Sequence, residues 1–92
     1  MNEHEAYVLS ISRMMLDATA IGDALLRRDF DEARFRTNCI TLEASALGLG
    51  RLSAAVELLS SQLGSAGGKF KNGYGAGLLK VVEELEAIGL AP

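Results

Sequence analysis

Tryptophan is absent from this sequence, and cysteine and histidine occur once each, as Cys39 and His4. A single cysteine excludes an intrachain disulfide. One His and one Cys, placed far apart, give no metal-ligand spacing, so neither a metal nor a cofactor is expected. The only proline is Pro92, which leaves the interior of the chain without this helix breaker. No apolar run approaches the ~18 residues that a membrane span needs. A basic excess is also missing. The net charge of −3 gives no global field for nucleic acid. Arg27, Arg28, Arg34 and Arg36 gather near one turn and are read as a solvated end. The start, Met1-Asn2-Glu3-His4-Glu5, lacks the basic opening of a signal peptide. The expectation is a reduced, cytoplasmic protein.

What is present is apolar and helical in period. The chain has 92 residues, 49% of them hydrophobic, enough for one domain with one core. Asn2 and Glu5 form a capping box that opens a helix over 3–28. Its seam is Tyr7, Ile11, Met14, Ala18, Ile21 and Leu25, widened by Val8, Met15 and Ala24. Thr19 and Gly22 are expected to bend it. At roughly 40 Å, at 1.5 Å per residue, this helix should overhang the others or fold back.

Asp29 and Glu32 form a second capping box, opening a helix over 30–48. Phe35, Cys39, Leu42, Ala46 and Leu49 recur at spacings of four, three, four and three, and are read as its inward seam. Gly48 and Gly50 supply the stop. A third helix over 52–63 carries Leu52, Val56, Leu59 and Leu63, with Gly64 as its cap. A glycine-rich loop follows. The fourth helix, over 74–88, carries Tyr74, Leu78, Val81, Leu85 and Ile88, with Gly75 and Gly77 weakening its first turns and Gly89 and Pro92 ending it. Short connections between four amphipathic helices predict an all-α, antiparallel up-down-up-down four-helix bundle.

Several chemical readings fail on their residues. Gly68-Lys69 resembles the end of a P-loop, but Leu63 stands where the first glycine belongs and Phe70 where Ser or Thr belongs. Gly73-Tyr74-Gly75 begins like a dinucleotide fingerprint, but its third glycine falls on Leu78. Cys39 on the inward seam reads as an inert small hydrophobe. Glu83, Glu84 and Glu86 read as a solvated face. No convergent acid, base and nucleophile emerges, so no enzymatic activity is expected.

The stretch from Cys39 to Gly50 resembles the signature helix of histidine-containing phosphotransfer (HPt) domains with the chemistry removed. Leu42, Ser45, Ala46, Leu49 and Gly50 match that pattern, and the likeness runs from about Ile11 to Ile88. The phosphoryl-accepting His is replaced by Ile40, the Lys three residues on by Glu43, and the Gly by Ala44. Ile40 has no nucleophile, and Glu43 would repel a phosphoryl group.

The resemblance implies a bacterial, catalytically silent signalling protein. It would bind a two-component partner, a receiver domain or a histidine kinase, as adaptor or inhibitor. The contact residues would be Arg36, Ile40, Glu43 and Leu47, which share one stripe of the second helix taken to face solvent, and Ala44 beside them. On that reading, replacing Ile40 with Asp abolishes binding and spares the fold. The alternative is a homodimeric structural or assembly module that pairs through the same face.

Overall fold

A computed structural model describes residues 2–64 and 73–90. Those residues form four helices and no strand: α1 (Glu3–Leu26), α2 (Phe30–Ala46), α3 (Gly50–Leu63) and α4 (Tyr74–Leu90). Helices α1 and α3 each pack against α2 and α4. The result is an elongated body of 41 × 20 × 20 Å.

The helix ends follow local chemistry. Asn2 Oδ1 accepts from the Glu5 backbone N–H at 2.8 Å, and Asp29 Oδ1 accepts from that of Glu32 at 3.1 Å. Each satisfies a donor that the first helical turn leaves open. Helix α1 stops two residues before the expected end, because Arg28 takes a left-handed φ of 58°. Its N–H then bonds Leu25 O at 3.1 Å, and the Asp29 N–H bonds Ala24 O at 2.8 Å. Helix α2 closes the same way, with Gly48 at φ 68° supplying the left-handed position. Gly50 is not part of that stop and instead opens α3. Gly89 lies inside α4. Most of the glycine-rich loop, Gly68-Lys69 included, and Pro92 lie outside the described residues.

The core is built from Ile11, Met14, Ala18, Ile21 and Ala24 of α1, the Leu52/Val56/Leu59/Leu63 row of α3, and Val81 and Leu85 of α4. These are the expected seams. Thr19 and Gly22 do not interrupt α1, and Thr19 Oγ1 donates back to Met15 O at 3.1 Å. Residues 3–9 are exposed, consistent with an α1 longer than its neighbours. Tyr7 and Val8 therefore stay outside the core, and Met15, farther along α1, is exposed as well.

Gly77 is buried against α3, and a Cβ there would overlap the end of the Gln62 side chain, which would have to move aside. Glu84, expected on a solvated face, is 7% exposed. It sits between two cations, Arg51 at 3.4 Å and Lys80 at 3.2 Å, which offset its charge.

Helix α2 is turned the other way from expectation. It buries Ala33, Thr37, Ile40 and Ala44, while Phe35 and Leu42 face solvent. Cys39 is half-buried and Ala46 exposed. Only Leu49, at the turn into α3, packs against the core. The physical reason lies in α2's neighbours. The small side chains Ala33 and Ala44 let α2 sit close to the core. Thr37 is buried without cost because its hydroxyl donates to Ala33 O at 2.7 Å. Polar anchors on both flanks then hold the rotation. Arg36 and Glu43 reach α1, and Arg34 Nε donates to Leu63 O at the end of α3, at 3.1 Å.

Candidate interaction face

The stripe expected to dock a partner is largely interior. Ile40 and Ala44 are each 0% exposed, and Leu47 is half-buried against the core. A side chain without accessible surface cannot carry a docking contact. Replacing Ile40 with Asp would place an unpaired charge in the core, so that substitution cannot spare the fold.

Arg36 and Glu43 lie at the edge of the stripe and are already engaged. The Arg36 guanidinium pairs with Glu32 at 2.8 Å and Asp17 at 3.0 Å. These hydrogen bonds, that to Glu32 first, raise its pKa above the ordinary arginine value. Glu43 accepts from Arg13 at 2.8 Å. That bond, with a smaller contribution from Ser10, holds the Glu43 carboxyl below its ordinary 4.5. The arginines near the turn are thus not one solvated end. Arg34 and Arg36 are bound into the bundle, while Arg27 and Arg28 are exposed.

The surface that α2 offers is its other heptad stripe. Phe35 is 59% and Leu42 65% exposed, with Cys39 and Ala46 completing the four-three-four spacing. Phe35 is steadied by the Arg36 guanidinium, whose Cζ lies 5.9 Å from the ring centroid. Helix α1 extends the same face. The Arg13–Glu43 pair ties the two helices side by side. Leu9 and Leu16 lie one turn before and one turn after Arg13, and Leu16 is 70% exposed. The face therefore has apolar residues of α1 on one side and of α2 on the other. A row of ion pairs, Arg13–Glu43 and Asp17–Arg36–Glu32, runs between them.

Periodicity alone could not single out this face, because both stripes of α2 repeat at heptad spacing. The signal that was available is charge placement. Arg36 and Glu43 flank the Ile40 stripe, and complementary Asp17 and Arg13 lie four residues apart on α1.

No group of three or more His, Cys, Asp or Glu among the described residues could hold a metal ion. His4 lies in the first turn of α1 and Cys39 in the middle of α2. No helix among the described residues is long and apolar enough to cross a membrane. No protein-family model, curated protein or solved structure matches the chain.

Proposed function

We propose that the chain is a catalytically silent helical bundle, phosphotransfer-like in its frame, that acts by binding another protein through the outer face of α1 and α2. The observation that carries this reading is the apolar stripe of exposed Phe35, Leu42 and Ala46 with half-buried Cys39, at the spacing of a helix-packing seam. An antiparallel frame is supported by the ion pairs. Going from Arg13 to Asp17 along α1, the partners step back from Glu43 to Arg36 along α2.

Silence toward phosphotransfer rests on Ile40, which offers no nucleophile and no exposed surface. The reading keeps the adaptor role that the phosphotransfer resemblance implies. It moves the contact from the Ile40 stripe to the far side of α2.

An NMR titration of isotope-labelled protein tests it, with receiver domains and histidine kinase domains as the first candidates. The expected shifts centre on Leu9, Leu16, Phe35 and Leu42. Leu42→Asp should remove them and leave the spectrum of the fold intact. Shifts confined to α3 and α4, with the α1/α2 face silent, would overturn the assignment.

A further inference from the structure

We infer that the occupant of this face is a second copy of the chain, with α2 packed against α2 in antiparallel order about a two-fold axis midway between Cys39 and Leu42. The inference rests on the reading of the outer α1/α2 face as an interface, and adds what covers it when no other partner is bound.

Side-chain size carries the argument. Along the stripe, large and small residues alternate: Phe35, Cys39, Leu42, Ala46. An antiparallel two-fold at that midpoint sets Phe35 of one copy against Ala46 of the other, and Cys39 against Leu42. Every layer then holds one large and one small side chain, so all layers fill to a similar volume at a normal helix separation. A parallel pairing would set Phe35 on Phe35 and Ala46 on Ala46, crowding one layer and leaving the other empty. An isologous contact demands that a surface complement itself, and this stripe does so in one register.

Charge agrees with size. Arg13, Arg36, Asp17, Glu32 and Glu43 are all paired within the chain, so the row between the two apolar stripes carries no unpaired charge to attract a strongly charged partner. The same two-fold sets Glu43 opposite Asn38 and Arg36 opposite Ser45, so neither of these α2 charges meets a like charge. This axis also brings α1 to face α1, which puts exposed Leu9 and Leu16 on the contact side of both copies.

Area sets the size of the contact. Helix α2 is about 25 Å long at ~1.5 Å per residue, and the bundle is 20 Å across. The face therefore projects to about 500 Å² per copy, the scale of a small interface beside the ~800 Å² per partner of a standard one.

Sedimentation equilibrium of the full chain tests the inference. The expected result is a species of twice the 9.8 kDa monomer mass, weakened at least tenfold by Leu42→Asp, with the helical circular dichroism unchanged. Ala46→Phe alone should weaken association, because it sets Phe against Phe35. Adding Phe35→Ala to it should restore association, because the large–small order is only reversed. The native Cys39 gives an independent readout. In this register the two Cys39 residues are offset by about 4.5 Å along the helix axis, so a short bismaleimide should link them. A wild-type monomer at high micromolar concentration would overturn the second-copy inference. So would a dimer indifferent to Leu42→Asp and to the paired exchange. If the chain is monomeric but a different protein shifts Phe35 and Leu42 in the titration above, the interface reading stands and only its occupant changes.

Discussion

Shortening Ile40 and Leu42 to alanine should have very different costs, although the two residues are alike in chemistry and only two positions apart. Ile40 is fully buried, and Leu42 is 65% exposed. Removing a buried Ile side chain to Cβ costs about 2–5 kcal/mol, combining lost transfer energy with the cavity left behind. Ile40 belongs to the central cluster with the α1 and α3 rows, where rigid neighbours on several sides limit collapse, so about 3 kcal/mol is expected by the same scale. For a domain of this length, about 1 kcal/mol shifts Tm by roughly 4–8 °C. Ile40→Ala should therefore lower Tm by about 12–24 °C by that conversion. For Leu42, full burial would contribute about 1.5–3 kcal/mol. With only about a third of its surface covered, Leu42→Ala should cost no more than about 1 kcal/mol on that scale. Thermal and urea denaturation at low concentration, where association does not contribute, give both numbers. Equal losses, or a larger loss at Leu42, would refute the orientation of α2.

Three further predictions concern local chemistry. Arg28→Gly should raise stability by about 1 kcal/mol, the order of cost that a left-handed φ imposes on a residue with a Cβ, read as a higher urea midpoint at unchanged slope. Gly75→Ala should stabilise by up to about 1 kcal/mol through helix propensity, because nothing lies within 4 Å of the added Cβ. Gly77→Ala should gain less, since the Gln62 carboxamide must first move aside. Glu43 should make stability pH-dependent on the acid side. Its pKa is lowered on folding, so the unfolded chain binds the proton more tightly. The contribution is present above the ordinary 4.5 and is lost as pH falls through the lower folded value. Glu43→Gln should flatten the wild-type decline in that window when urea midpoints are compared across pH.

Three of the four helices were legible because each carries one dominant apolar row, with only scattered apolar residues such as Leu16, Leu58 and Leu79 outside it. The row of Leu52, Val56, Leu59 and Leu63 in α3 could only face inward, and it does. Helix α2 was different. Ala33, Thr37, Ile40, Ala44 and Leu47 repeat at the same four-three spacing as Phe35, Cys39, Leu42, Ala46 and Leu49. The second row is bulkier, so hydrophobicity counted locally favours burying it. What reverses the choice is long-range: Arg36 with Asp17, Glu43 with Arg13, and Arg34 with the carbonyl of Leu63. Those bonds join residues 19 to 30 positions apart, and no window along α2 contains them. The candidate site followed the same error. Its edge residues, Arg36 and Glu43, were found, but as contacts for a partner rather than as the anchors that hold α2 in place. Glu84 shows the same limit, because its burial depends on Arg51 arriving from α3.

The most direct test of α2's orientation is solvent accessibility measured at its own methyl groups. Methyl-labelled protein at high dilution would be exposed to a soluble paramagnetic agent. The Leu42 methyls should broaden strongly and the Ile40 methyl should stay sharp. Raising the protein concentration should then protect Leu42 as the second copy covers it. An Ile40 methyl that broadens at high dilution while Leu42 stays sharp at every concentration would contradict the account at its base.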